Sequence, residues 1–414
     1  MRTRRLSGGR RLLLSVAAVA LLGAACGGDD SGSSTADTEA PSGNAADTSL
    51  STIHVGTQGE FSGFSASSNA GSADMAKAWE KWVNESQGGI NGHPVAVHVV
   101  DDAGDSAKGL AAFKGFVDND KVIAMVSGGS TGTVTAINDY AVEKSVPIIT
   151  GDNYMPVHIG SPMVFPLNNT IPAILVYPYS VAKARGFKKV GVFACAESPA
   201  CDTDALQRAV AGQLGVGYGG LQKVAFDAPN YTAQCLAMKK AEVDFLLMAT
   251  SAQGAIKMMA DCQKQGYDPT FVVGETTWDL SIRDLKTAKI VGAINSLPFF
   301  SDDPLADPMK EAWSEFGPGG DVPSQQAAIT FQGLEFFRKV ASGIESDEPT
   351  AADMVAALGT VTDENLGGVL PNKLTWTAGQ KAAPPNNCYF IVENEKGTLK
   401  EDLTPHCAEP VKLG

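Results

Sequence analysis

Between an apolar stretch ending at Val126 and a helical pattern opening near Thr133 lie six small residues, Ser127 to Gly132, reading SGGSTG. The chemistry they offer is anion binding. A helix start leaves backbone N–H groups without intrahelical partners, and the helix dipole adds partial positive charge there. Glycine lets a ligand approach the main chain, and the hydroxyls of Ser130 and Thr131 add donors. The turn holds no Lys and no Gly-Lys-Ser/Thr follows, so a carboxylate fits better than a polyphosphate. The plainer alternative is that Ser130 or Thr133 only caps the helix.

Other chemistry-bearing patterns are weaker. Ser180 and Lys183 stand as Ser-x-x-Lys, the pattern of penicillin-interacting enzymes, but Ser-Asp-Asn and Lys-Thr-Gly are missing and the pair lies in a helical stretch. His-Glu-x-x-His does not occur, and His54, His93, His98, His158 and His406 are scattered. Asp101 to Asp105, DDAGD, lacks the spacing of an EF-hand loop and fits a cap for a helix starting near Ser106. The cysteines of the body, Cys195, Cys201, Cys235, Cys262, Cys388 and Cys407, are even in number, as disulfides outside the cell require. Several pairings are open. The local ones are favoured, Cys195–Cys201, Cys235–Cys262 and Cys388–Cys407, because each brackets a short loop or one supersecondary unit. No Cys-x-x-Cys and no His cluster accompanies them, so no metal and no cofactor is expected.

The elements that must position these residues follow from periodicity. Strand-like runs are IHVGTQ, VAVHVV, KVIAMV, VPIIT, KVGVFAC, QKVAFD, VDFLLMA, TFVVGE and VGAINSL. Several are apolar on both alternating faces, as parallel strands covered on both sides by helices must be. Helical patterns separate them. Met75, Trp79, Trp82 and Val83 recur at helical spacing, as do Leu110, Phe113, Phe116 and Val117, and both sets read as core-facing stripes. This alternation predicts an α/β fold with doubly wound parallel sheets. The series runs once from about 52 to 165 and again from about 187 to 295. A helical block follows (PLADPMKEAWSEFG, SQQAAITFQGLEFFRKVASG, AADMVAALG), and then two strands, NKLTWTA and CYFIVEN. Two Rossmann-like lobes joined by three hinge crossings, near 165, 295 and 372, result. Lobe 1 is then 52–165 plus 296–371, and lobe 2 is 166–295 plus 372–414. Ligands of open α/β sheets bind beyond the carboxyl ends of the strands, so the cleft between two such lobes would trap a small molecule.

The N-terminal part has a different task. Residues 1–25 carry five arginines and no acid, then the apolar run Leu12 to Leu22, then small residues. That is the layout of an export signal, and the run is too short to span a bilayer. Cys26 follows small residues as in a bacterial lipoprotein signal, where the Cys is lipidated; an ordinary secretory signal with an unmodified Cys is the alternative. TRRLSGG is a partial twin-arginine match, which leaves the export route open. Residues 26–51 hold almost no large apolar side chain and read as a flexible tether. The whole chain carries −14, and without the five leading arginines 27 basic groups face 46 acidic ones. Nucleic acid is therefore excluded as a partner, since it needs a basic footprint.

From about residue 52 to 400 the chain resembles the extracytoplasmic substrate-binding proteins of ABC transporters, in the branched-chain amino acid (Leu/Ile/Val-binding) branch with the type I periplasmic-binding fold. The stretches that carry the resemblance are GEFSGF, NESQGGINGHPVAVHVVDDAGDSAKG, VSGGSTGTVTAINDYAVEKSVPIITGD and FVVGETTWD. The resemblance implies that the turn after the third strand holds an amino acid carboxylate, at Thr131 with Ser130 beside it. It implies further contacts after VPIIT, at Asp152 through its backbone, Asn153 and Tyr154. An acid of the second lobe meets the ligand ammonium in that family, and its match is Glu275, followed by Thr276; the alternative is a solvated loop acid. The chain also departs from the family. Asp152 adds an acid beside the anion turn. The loop ACAESPACDTD lacks the Tyr that relatives stack on the ligand. Thr250, Ser251, Ala252 and Gln253 replace aromatic residues. Phe61, Phe64, Tyr154 and Trp278 would supply apolar walls instead.

The function expected is a lipid-anchored receptor on the outer face of the bacterial cell membrane. It would act as a monomer and deliver an amino acid, amide or small carboxylate to an ABC permease and its ATPase subunits, without catalysis. A ligand sensor of the same fold and an exported hydrolase are the alternatives.

Overall fold

Two sheets order the chain, the first parallel and the second mixed. The computed structural model describes residues 45–414, apart from 64–65, 130, 152–156, 169–170, 197–200, 226–227, 385, 410 and 412–414. The first sheet has strands β1 (Ile53–Gly59), β2 (Val95–Asp101), β3 (Ala124–Ser127), β4 (Ile148–Thr150) and β5 (Val164–Pro166), all parallel, in the order β2-β1-β3-β4-β5. The second has β6 (Lys189–Cys195), β7 (Gly217–Val224), β8 (Phe245–Met248), β9 (Thr270–Val273), β10 (Lys289–Ile294), β11 (Cys388–Glu395) and β12 (Thr398–Cys407). Its order is β12-β11-β10-β9-β8-β6-β7, and only the two pairings of β11 are antiparallel.

The helices are α1 (Ser72–Ser86), α2 (Ser106–Asp118), α3 (Thr131–Lys144), α4 (Val157–Gly160), α5 (Ile171–Arg185) and α6 (Asp204–Leu214). They continue with α7 (Thr232–Lys240), α8 (Ala252–Lys264), α9 (Leu280–Arg283), α10 (Asp307–Phe316), α11 (Gln325–Ala341) and α12 (Ala351–Leu358). Neighbouring strand residues point to opposite faces, and here both faces are covered. Val126, Ile149 and Phe165 join the core of Met75, Trp79 and Val83 from α1 and Leu334 and Phe337 from α11. Met125, Ile148 and Val164, one residue earlier in each strand, join Phe113 and Phe116 of α2 and Val134 and Ile137 of α3. The second sheet repeats this division. Leu246, Phe271 and Ile290 face Cys235 and Met238 of α7 and Met258 of α8. Phe245, Val272 and Val291 face Val176 and Tyr179 of α5 and Val210 of α6. Trp79 and Phe113 expose no surface, and burial of such a ring stabilises the fold by about 3 kcal/mol.

The chain leaves the first sheet after β5, builds β6 to β10, and returns to pack α10 and α11 on α1. It then crosses again to add β11 and β12 to the second sheet. The late helical block thus packs beside α1. The expected strand at NKLTWTA is a correction. It forms only the bridge Glu364↔Leu374, because Trp376 turns inward between Phe165 and Phe336. The short β5 and the whole of β12 carry too little apolar alternation to have been read as strands. DDAGD caps a helix as expected: Asp105 accepts the N–H groups of Ala107 and Lys108 at 2.8 and 2.9 Å.

Disulfides join Cys195 to Cys201, Cys235 to Cys262 and Cys388 to Cys407. The second ties α7 to α8 beneath the sheet, and the third closes the β11–β12 ribbon. Met1–Ser42 and Gly43–Gly414 separate as two units, and every described strand, core and disulfide belongs to the second. Residues 43–414 form one compact unit. The signal-like segment, Cys26 and most of the tether lie outside the described residues.

Candidate functional site

The carboxyl ends of the parallel strands are where an α/β sheet presents main-chain groups to a ligand. In the first sheet β3 ends at Ser127 and α3 opens at Thr131, two residues earlier than the periodicity indicated. Gly128 and Gly129 make the turn. Gly129 has φ 107°, a left-handed conformation, and a Cβ there would meet Asn69 Oδ1 at 2.4 Å. Only glycine fits. Asn69 Nδ2 donates to Gly129 O at 3.0 Å and to Glu60 O at 2.9 Å, which holds the turn to the loop after β1. The Phe61 ring lies against Gly59 and Gly128. Below, Thr133 is fully buried; its Oγ1 donates to Asp102 Oδ2 at 3.0 Å and accepts from Gln58 Nε2 at 3.3 Å. Asp101 accepts from the N–H groups of Phe61, Ser62 and Ala103. Burial raises its pKa, but the hydrogen bonds from Ser62, Ala103 and Phe61 outweigh this and hold the carboxyl below its ordinary value. Side chains and backbone from three loops thus frame the end of β3 and the buried side of α3.

The second sheet contributes Glu275, in a 3-10 turn over Glu275–Thr277 directly after β9. Its side chain is not solvated: the residue is 3 % exposed. Oε1 accepts from Asn295 N at 3.0 Å and Ser296 Oγ at 2.9 Å. Oε2 accepts from Asn295 Nδ2 at 2.7 Å and Asn168 Nδ2 at 3.4 Å. These donors are neutral and come from both chain segments that leave the sheets, after β5 and after β10. Side-chain amides then pin the segments together. Gln325 Nε2 donates to Ser296 Oγ and Leu297 O, both at 3.0 Å, and its Oε1 accepts from Phe299 N. Asn386 Nδ2, on the last crossing, reaches the carbonyls of Pro166, Leu167 and Asn168. Irregular buried backbone must find such partners.

The other expected site residues divide as follows. Thr131 opens α3, and Ser130 and the Thr131 side chain lie outside the described residues. Phe64, Asp152, Asn153 and Tyr154 lie outside them too. The strand before that last group is described: Thr150 is buried, and a Cβ on Gly151 would meet Ile329 Cγ2 of α11 at 2.2 Å. Ser251 caps α8, its Oγ accepting from Gly254 N at 3.4 Å. Thr276 is half-buried beside Glu275. Trp278 exposes no surface; its ring packs 5.7 Å from that of Phe300 and covers Gly292. The sequence reading missed Asn168, Asn295, Ser296, Asn69 and Gln325. Asn295 and Ser296 did carry a signal, a polar pair inside the apolar run VGAINSLPFF.

Gly128 to Gly132 also match Gly-x-Ser-x-Gly, the strand-to-helix elbow that presents a nucleophilic Ser. Such a Ser needs a base. Of the described imidazoles, His54 and His98 bond each other, His93 bonds Ser51, and His406 bonds Asp402. Among the described residues no group of three His, Cys, Asp or Glu could hold a metal ion.

Residues 52–398 match the family model described as periplasmic binding protein, and the chain belongs to that family. No curated protein matches it. Among solved structures it is similar to an ABC transporter substrate-binding protein from Aeropyrum pernix, at 18 % identity and TM-score 0.73, covering 87 % of this chain and 96 % of that one. A branched-chain amino acid ABC transporter protein from Thermus thermophilus with bound valine aligns at 16 % identity and TM-score 0.74, over 87 % and 97 %. A solute-binding protein of an ABC transporter from R. palustris in complex with 4-hydroxybenzoate aligns at 16 % identity and TM-score 0.69, over 87 % and 98 %. Together they support the type I periplasmic-binding fold.

Proposed function

We propose that this periplasmic binding protein is a solute receptor that takes a small carboxylate and delivers it to the permease and ATPase of an ABC importer. The observation that supports this most is the meeting of the two sheets at Glu275, whose carboxylate after β9 receives Asn168 from the chain leaving β5. Strand ends of both sheets converging on one place are what a ligand trapped by hinge closure requires. In this reading residues 52–165 with 296–371 form one lobe and 166–295 with 372–414 the other. The ligand carboxylate docks on the start of α3 at Ser130 and Thr131, with Asp152, Asn153 and Tyr154 beside it. Closure then adds the second-lobe contacts at Ser251, Glu275 and Thr276. A lipid on Cys26 and the tether hold the monomer at the outer membrane face. No catalysis is involved.

Valine and 4-hydroxybenzoate, bound by two structural neighbours, share a carboxylate and differ in the ammonium. The family resemblance favours an amino acid, with Glu275 facing the ammonium. Among the described residues the donors to Glu275 are neutral, which favours a second reading, in which Glu275 braces the crossings and the ligand is a plain carboxylic acid. A thermal-shift screen of residues 43–414 against valine, leucine, benzoate and 4-hydroxybenzoate separates them, because a ligand bound only by the folded state raises the melting temperature. Stabilisation by valine that is lost in both Thr131→Ala and Glu275→Gln supports the amino acid. Stabilisation by a benzoate that is lost in Thr131→Ala alone supports the plain acid. No shift with any of the four removes the carboxylate reading.

A further inference from the structure

The three disulfides differ in what can reach them. Cys235 and Cys262 expose no surface, and Cys195 is buried with Cys201 half-buried. Cys407 is exposed, and its partner Cys388 is half-buried. Thiol–disulfide exchange needs a thiolate to reach a sulfur, so access ranks the three bonds and puts Cys388–Cys407 first. Its place in the chain is also distinct. Cys388 is the first residue of β11, where the last crossing enters the second sheet, and Cys407 is the last residue of β12, directly opposite.

Two segments meet at this bond. On one side the last crossing is seated by Asn372, whose Oδ1 accepts from Asn387 N at 3.0 Å and Cys388 N at 2.8 Å, and whose Nδ2 donates to Cys388 O at 2.9 Å. Asn386, two residues before the sulfur, bonds the carbonyls of the first crossing. On the other side the segment after Cys407 forms a strap over α5 and β11. Ala408 N donates to Asn387 O at 2.8 Å, and Lys183 Nζ of α5 donates to Glu409 Oε1 at 2.8 Å. Ala408 and Val411 pack against the core that holds Val176 and Tyr177 of α5 and Tyr389 of β11. The first crossing leads into α5 and the last into β11, so one covalent bond holds the strap over the receiving ends of both. Without it the strap keeps one exposed ion pair, which contributes little, one main-chain bond and two small apolar contacts.

We infer that Cys388–Cys407 is a reversible redox clasp, opened by a dithiol protein outside the cell, and that opening it loosens the seat of the last crossing. A thiolate of the reductant attacks Cys407 Sγ, the Sγ–Sγ bond breaks, and Cys388 leaves as a thiolate that takes a proton. The second thiolate of the reductant then attacks the mixed disulfide. It releases Cys407 as a thiolate, also protonated, and the reductant leaves as its own disulfide, having given two electrons to the protein. The effect on hinge motion rests on the two-lobe reading; the clasp and its test involve no ligand, so they stand or fall apart from the carboxylate reading.

The test uses the full chain under native conditions. Free thiols are blocked first, dithiothreitol is added, and newly freed cysteines are trapped with iodoacetamide and located by peptide mass spectrometry. Cys388 and Cys407 are expected to appear before the other four, and at least about tenfold faster than Cys235 and Cys262. Hydrogen exchange of the reduced protein is expected to rise about tenfold at residues 386–390, to stay unchanged in α1, and to return to its starting rate when oxidised glutathione recloses the bond. The double variant Cys388→Ser, Cys407→Ser is expected to show the raised exchange without reductant and no response to it. Earlier or simultaneous opening of either other disulfide, unchanged exchange at 386–390 after opening, or failure to reclose would each overturn the proposal. If the double variant does not fold, the parent protein alone carries the test.

Discussion

Removing the Glu275 carboxylate tests whether this acid holds the chain crossings together. Three of its donors, Asn295 N, Asn295 Nδ2 and Ser296 Oγ, lie within 3.0 Å, and all are buried. Asn168 Nδ2, at 3.4 Å, is weaker. Glu275→Ala leaves the three close donors without their acceptor, at about 1–3 kcal/mol each. Water entering the emptied volume recovers part of this, so a net loss of about 3–5 kcal/mol is expected. Glu275→Gln keeps the volume and one acceptor oxygen, but sets an NH₂ against donors. The Ser296 hydroxyl can rotate to accept it, and the loss should be about 1–2 kcal/mol. The assay is guanidinium unfolding of residues 43–414, followed by tryptophan fluorescence, with the slope checked for constancy. A Glu275→Ala loss below about 1 kcal/mol would refute the reasoning: the acid would then be a replaceable loop residue, and its buried donors would find other partners.

Three further outcomes follow from the packing, the disulfides and one histidine. A Cβ on Gly292 would stand 2.1 Å from Trp278 Nε1, so Gly292→Ala should cost more than 2 kcal/mol, and much less in a Trp278→Leu background; additive losses in the double-mutant cycle would sink this. Removing Cys235–Cys262, with a separation of 27 residues, should cost about 3.5 kcal/mol, against about 2 kcal/mol for Cys195–Cys201, with a separation of 6; paired Cys→Ala variants compared by unfolding midpoint check the order. His54 sits below the ordinary imidazole pKa because burial and the neighbouring His98 disfavour its charge, against the pull of Asp120. The unfolded chain therefore takes up this proton first, at its ordinary value near 6.5. Stability should fall as the pH drops below that value, and His54→Gln should flatten the slope between pH 7 and 5. An unchanged slope would show that other groups set it.

The sequence displayed those features that act over a few residues. Asp105 caps α2 through N–H groups two and three residues ahead, so DDAGD before a helical stripe was enough to place it. The doubled strand–helix series showed the fold class, because strands covered on both faces must be apolar at every position. The small-residue turn at Ser127–Gly132 was legible for the same reason, since one stretch of chain contains both strand end and helix start. NKLTWTA misled because its alternation came from Trp376 and Leu374 packing inward from a loop; periodicity records which residues are buried, not which neighbours pair.

Glu275 marks the limit. Its position after a strand was readable, and the family resemblance implied a ligand for it. Its surroundings were not readable: Asn295 and Ser296 are 20 and 21 residues away along the chain, and Asn168 is 107 away. A carboxylate at a strand end is solvated, paired or saturated by neutral donors according to what other segments bring to it. The same holds for Trp278, an aromatic after a strand that the fold places wholly inside the core. Sequence alone determined the layers, the caps and the turn, because backbone geometry and burial periodicity act between near neighbours. Only the tertiary structure decided which polar groups meet at Glu275, because hydrogen-bond satisfaction in the interior depends on segments that only folding brings together.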